Sequence, residues 1–261
     1  MQWGVDAGNV LISPPKTENM SVTVIVSLVV LCIGASFVQR VCGFGFGVFI
    51  MTMLPFLCPS YGEATTLSGL LSAAQSLYVL FVLYKLVDWK HLIIILSSFT
   101  VFSFLAIQFV ASATDSVLKI LLGIVLILLS LYFLFVSPKL QVKPTKTLQV
   151  SMGALSGVMG GLFGMHGPPA VIYFLAVEPS KYRYMAVCQA YFLLTNIIMT
   201  FFRARNGFLT GFVGWGFLYA IGGVVVGSYL GRKVFDKLPS DKLRKIIYIY
   251  MIFSGIAAIL M

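Results

Sequence analysis

The sequence predicts an all-α polytopic membrane protein of about eight to ten transmembrane segments, built as two inverted five-segment repeats. Three observations predict it. The 261 residues are 59% hydrophobic and 10% charged, with a mean hydropathy of +1.00, outside the range of soluble domains. Apolar runs close to the length of a bilayer crossing recur along the whole chain. Two of the runs are interrupted by glycine at matching places: Gly43-Phe44-Gly45-Phe46-Gly47 with Pro55 downstream, and Gly160-Gly161-Leu162-Phe163-Gly164-Met165-His166-Gly167-Pro168-Pro169.

In chain order, residues 1–20 hold Asp6, Pro14, Pro15 and Glu18 and lack a basic stretch leading into a short apolar core, so they read as a polar tail rather than a cleaved signal. Long apolar runs follow at 21–38, 64–84, 91–111, 117–136, 148–163, 185–202, 209–230 and 243–261. Two shorter runs, 44–57 and 168–177, begin at the glycine clusters. They are marginal for a crossing and read as half-helices or arms of re-entrant hairpins. This places a first transmembrane repeat at 21–138, a basic connecting loop at 139–147 and a second repeat at 148–261.

The two sets match at an offset of about 121 residues, under which Gly43 falls on Gly164, Leu54 on Leu175, Gln75 on Asn196 and Trp89 on Thr210. Five segments is an odd number, so the second set enters the membrane from the opposite side. Treating the first two runs of each set as a re-entrant pair leaves three crossings and the same parity. Of the 18 Lys and Arg, fourteen fall on one side under this scheme, leaving Lys16, Lys119, Arg203 and Arg205 on the other. The positive-inside rule then puts both termini outside a cell membrane. That distribution accounts for the net charge of +10 without nucleic acid. Cys32, Cys42, Cys58 and Cys188 show no metal or disulfide spacing, and no cofactor is expected. The lipid bilayer and a small anion are the expected partners, with homo-oligomerisation left open.

Breaks in membrane helices expose backbone groups that need partners, which makes them candidate sites. Paired amide ends favour an anion, and Gly43, Gly45, Gly47, Gly164 and Gly167 allow close backbone approach. For an isolated glycine such as Gly153, helix packing is the better reading. Gln75 and Asn196, equivalent in the two repeats, could donate carboxamide hydrogens to an oxyanion. Gln39, Gln108 and Gln189 have no twin and read as structural. His166 stands inside the second break as a titratable group. Arg40 and Arg203 could draw anions to either mouth. All eight carboxylates lie in tails, loops or run ends, which leaves no acidic relay for a cation. An enzyme reading, with Ser156 and His166 as the nucleophile and base of an intramembrane serine protease, lacks the glycine expected two residues before the serine, where Ala154 stands.

The doubled motif, Gly43-Phe-Gly-Phe-Gly with Pro55 and Gly160-Gly-Leu-Phe-Gly with Gly167-Pro-Pro, resembles that of the TauE/SafE family of sulfite exporters. The spacing from each motif to its mid-helix amide and to the 85–89 and 203–208 stretches does so too. The resemblance implies outward transport of sulfite or an organosulfonate such as sulfoacetate through an inverted-repeat bundle. It carries family motif positions onto Gly43, Gly45, Gly47, Gln75, Gly164, Gly167 and Asn196. His166 and the Pro168-Pro169 pair depart from the glycine that many members have there. The expected function is a secondary carrier of a small sulfur oxyanion, with a passive anion channel as the alternative.

Overall fold

In a computed structural model the protein is described over residues 20–132, 135, 143–178, 180–235 and 256. Residues 1–19, most of the central basic loop and all of the run at 243–261 but residue 256 lie outside the described residues.

Every regular element described is helical. The helices are α1 (Val22–Cys42), α2 (Phe46–Ile50), α3 (Leu54–Leu57), α4 (Tyr61–Leu83), α5 (Lys90–Ser112), α6 (Asp115–Leu131), α7 (Lys146–Phe163), α8 (Gly167–Val177), α9 (Lys181–Arg205) and α10 (Gly211–Phe235). Five of them, α1, α4, α5, α9 and α10, are long and apolar enough to cross a membrane. These five are counted among the described residues, which break off just after α6 and leave out nearly all of the run at 243–261; α7 mixes polar and small side chains into its 18 residues, and α2, α3 and α8 are shorter than a crossing.

Local chemistry sets the boundaries. The Ser60 hydroxyl accepts from the Glu63 N–H and donates to its carboxylate, a capping box that starts α4. Thr145 and Ser21 cap α7 and α1 in the same way through Leu148 and Val24. Both α1 and α7 stop at a left-handed glycine, Gly43 at φ +84° and Gly164 at +68°. The Gly43 N–H returns to the Gln39 carbonyl and the Gly164 N–H to the Gly160 carbonyl. Residues with a Cβ adopt this conformation poorly, which is why the breaks fall on these two positions.

Past each break the chain folds back. The Phe49 ring lies on Gly34, and the His166 Cβ lies on Gly160, so α1 with α2–α3 and α7 with α8 form two re-entrant hairpins. Helix α8, with 11 residues, rises about 17 Å, short of a hydrocarbon core about 30 Å thick.

The hairpins enter from opposite ends. Where the first one closes, Lys119 lies over the Phe56 ring at 5.2 Å and the Tyr61 N–H donates to Asp115 at 3.0 Å. The second closes at the far end of α4, where Arg183 bonds Glu178 at 3.1 Å and faces Asp88. Contacts follow the same inverted plan: α1 lies along α10, α7 along α5, and α4 along its counterpart α9. The two equivalent seams are both lined by glycine at intervals of four. Gly153, Gly157 and Gly161 face the backbone of α5 at Ile95, Phe99 and Ser103, while Gly223, Gly227 and Gly231 face that of α1 at Val29, Ile33 and Phe37. Small residues bring the helix backbones into direct contact, the main source of attraction between helices in lipid.

Candidate functional site

The tips of the two hairpins meet in the interior. Any side chain at Gly47 would run into the Gly164 carbonyl, and a Cβ at Gly167 would lie 3.4 Å from both Phe44 and Phe192. Between the tips is a cavity of about 20 Å³ lined by Gln39, Gly45 to Val48, Ser72, Gly164 to Gly167 and Phe192. It has room for a water-sized guest. Both breaks therefore contribute to one site, which brings Gly45, Gly47, Gly164, His166 and Gly167 together.

Amide ends contribute less here than their pairing suggests. Helix α2 has five residues and a correspondingly small dipole. Pro168 and Pro169 follow Gly167 at the start of α8 and remove two of the N–H groups that end would offer. Side chains supply most of the polarity instead.

His166 is 4% exposed and lines the cavity, and neither Nδ1 nor Nε2 has a hydrogen-bond partner among the described residues. Its ring is set among Phe192, Phe99 and Tyr191, with centroids 5.2, 5.7 and 6.1 Å away. Its main chain is tied down: Tyr191 Oη donates to Ser156 Oγ at 2.7 Å, and Ser156 Oγ donates to the His166 carbonyl. The serine hydroxyl thus serves the backbone, not the imidazole, and the serine–histidine contact that a protease needs is not made. A buried imidazole with two idle nitrogens is an expensive arrangement unless something polar binds there.

Two amide systems flank the cavity. Asn196 Nδ2 donates to Ser72 Oγ at 3.1 Å and to the Phe192 carbonyl at 2.8 Å, so it reaches the lining through Ser72. Gln39 Nε2 donates to Gln189 Oε1 at 2.8 Å and to Ser76 at 3.2 Å, and Gln189 Nε2 donates to the Gly43 carbonyl at 3.1 Å. These two glutamines, which have no twins under the repeat offset, are joined to each other between the two repeats. Gln39 also lines the cavity. Its place one turn before Gly43, on the face that turns toward the break, is the signal that points to it. Gln108 is on the exposed side of α5.

Other expected site residues lie elsewhere. Gln75 is fully buried but outside the cavity lining: its Nε2 donates to the Ser36 carbonyl at 3.4 Å and its Oε1 accepts from Ser228, so it joins α4 to α1 and α10. Gly43 lies against Tyr184 at the edge of the break. Neither arginine is at a mouth. Arg40 is buried with its guanidinium 5.2 Å from the Phe235 ring. Arg203 is 1% exposed and donates to the Thr65 and Gly160 carbonyls, each at 2.8 Å, and to Gly161 at 3.4 Å. It holds the last turn of α7, where helix carbonyls lack partners and the dipole favours a cation. The cation is also close to the site, since a Cβ at Gly69 would meet both Arg203 Nη1 at 3.4 Å and Asn196 Oδ1 at 3.5 Å.

A helical membrane bundle whose broken helices meet around a buried polar cavity is the architecture of a transporter. The chain belongs to the TauE/SafE sulfite exporter family: the family described as Sulfite exporter TauE/SafE matches residues 28–258. It is 28% identical over 233 residues to the probable sulfite/organosulfonate exporter TauE of Cupriavidus necator, an alignment covering 87% of this chain and 89% of that protein. No solved structure matches the chain.

Proposed function

We propose that this protein exports sulfite or a small organosulfonate across the cytoplasmic membrane, exposing the cavity between the hairpin tips to each face in turn. The observation that carries this reading is His166, buried in the lining with both ring nitrogens unpartnered. An oxyanion would accept from the imidazole and from the Ser72 hydroxyl, with Asn196 positioning Ser72. Gly45, Gly47, Gly164 and Gly167 let the two tips approach closely enough to enclose it, and Arg203 supplies the nearby positive charge. The cavity between the tips is small, about 20 Å³, and in this reading the tips part to load and release the anion, as a carrier does and an open anion channel does not. The concentration of Lys85, Lys90, Lys181 and Arg183 at one end of the bundle supports a reading in which that end faces the cytoplasm.

The test is counterflow of labelled sulfite in proteoliposomes. A carrier concentrates label transiently against unlabelled sulfite, whereas a channel only equilibrates it. Loss of one hydrogen bond to a charged ligand should make His166→Ala about 10- to 100-fold weaker in sulfite affinity. Counterflow of undiminished affinity in a folded His166→Ala protein would remove the imidazole from the site.

A further inference from the structure

A second cavity, of about 450 Å³, opens where the end of α4 and the start of α5 meet the first turn of α9. Its polar lining is Lys85, Lys90, Arg183 and Asp88, and its apolar lining includes Leu86 and Trp89. The acidic groups are already engaged. Asp88 Oδ1 accepts from the Lys90 main-chain N–H at 3.1 Å, its Oδ2 is 3.8 Å from Arg183, and Arg183 Nε bonds the buried Glu178 at 3.1 Å. Lys85 and Lys90 have no carboxylate within reach among the described residues; the Lys85 ammonium has only the Tyr84 ring, 5.9 Å away. The amino end of α5 adds partial positive charge beside them.

The cavity is amphipathic as well as basic. Leu86 and Trp89 in its lining are 40% and 54% exposed, and the neighbouring Tyr84 is 57% exposed, where α4 ends. Aromatic and aliphatic side chains in that position mark the boundary between hydrocarbon and headgroups. The volume far exceeds that of one small oxyanion.

We propose that this cavity binds a phosphate-type oxyanion, supplied by the headgroup of an anionic phospholipid. The phosphate sits between Lys85 and Lys90, and the glycerol and first methylenes rest on Leu86 and Trp89. Basic pockets at the headgroup level of membrane bundles take anionic lipids in this way. The site is separate from the cavity between the hairpin tips and does not depend on what that cavity carries.

The experiment uses the full chain with Trp3→Phe and Trp215→Phe, leaving Trp89 as its tryptophan, in neutral detergent. Trp89 fluorescence is quenched with acyl-brominated phosphatidylglycerol or acyl-brominated phosphatidylcholine. The expected result is quenching by phosphatidylglycerol at a several-fold lower mole fraction than by phosphatidylcholine. Lys85→Gln with Lys90→Gln should remove that several-fold preference, bringing phosphatidylglycerol to the mole fraction that phosphatidylcholine needs, and Lys85→Arg with Lys90→Arg should restore it. Equal quenching by the two lipids, or a preference untouched by the double glutamine variant, overturns the proposal. Inorganic phosphate at millimolar concentration is the third arm. Displacement of the quencher by phosphate without any lipid preference assigns the site to a free anion and overturns the lipid source.

Discussion

Gly222 and Gly223 are neighbours on α10 that differ in one respect. A Cβ at Gly222 would meet nothing within 4 Å, whereas one at Gly223 would lie 2.6 Å from the Val29 carbonyl and 3.1 Å from Cys32 Cβ. Replacing either by alanine brings the same gain in helix propensity, about 1 kcal/mol, so that term cancels between them. The remaining difference is the clash. The obstruction is main chain and cannot rotate away, so α1 and α10 must separate by about 0.7 Å to restore an ordinary carbon–oxygen contact near 3.3 Å. Overpacking of that kind costs about 1–3 kcal/mol, and a chain of this size loses about 2–4 °C for each kcal/mol. Thermal unfolding in detergent should therefore place Gly223→Ala about 2–12 °C below Gly222→Ala. The inverted plan predicts the same penalty for Gly157→Ala, whose Cβ would lie 2.6 Å from the Phe99 carbonyl. Melting of Gly222→Ala and Gly223→Ala within a degree of each other would refute the reasoning that the seam is held by backbone contact.

Two further outcomes follow from the buried polar groups. Arg203→Met removes the charged hydrogen bonds to the Thr65 and Gly160 carbonyls and should cost about 3 kcal/mol or more in stability, seen as a lower melting temperature, with Arg203→Lys recovering part of it. Ser156→Ala strands the fully buried Tyr191 hydroxyl and should cost about 1–3 kcal/mol, yet sulfite counterflow should persist because the imidazole does not use the serine; complete loss of flux in a folded Ser156→Ala protein would sink that assignment.

Much of this architecture is legible in the residues because lipid leaves so few choices. A glycine cluster inside an apolar run has to be a break, and the offset that matches Gly43 with Gly164 also matches the helices that pack as equivalents. The re-entrant course is legible only as an alternative, since run length cannot distinguish a half-helix that stops from one that turns back. The turn becomes evident from contacts such as Phe49 on Gly34. Pairing within the sequence misleads for Gln75, whose position equals that of Asn196 but whose neighbours do not: Ser36 and Ser228 absorb its hydrogen bonds, while Asn196 meets Ser72 at the cavity. Gln39 and Gln189 have no twins by offset yet bond to each other, because a two-fold arrangement also brings together positions that are not equivalent. The glycine stripes were available as a four-residue spacing at 153, 157 and 161 and again at 223, 227 and 231. Their meaning depends on which helix lies opposite, and the sequence does not state that.

The seams have a mechanical consequence. Each one fastens a helix of one repeat to a helix of the other, α1 to α10 and α7 to α5, by backbone contacts that tolerate little sliding. The halves defined by chain order are therefore fastened to each other along both seams. Under the alternating access proposed above, the units that move would be exchanged ones, a hairpin from one repeat carried on a long helix from the other, on either side of the α4–α9 pair.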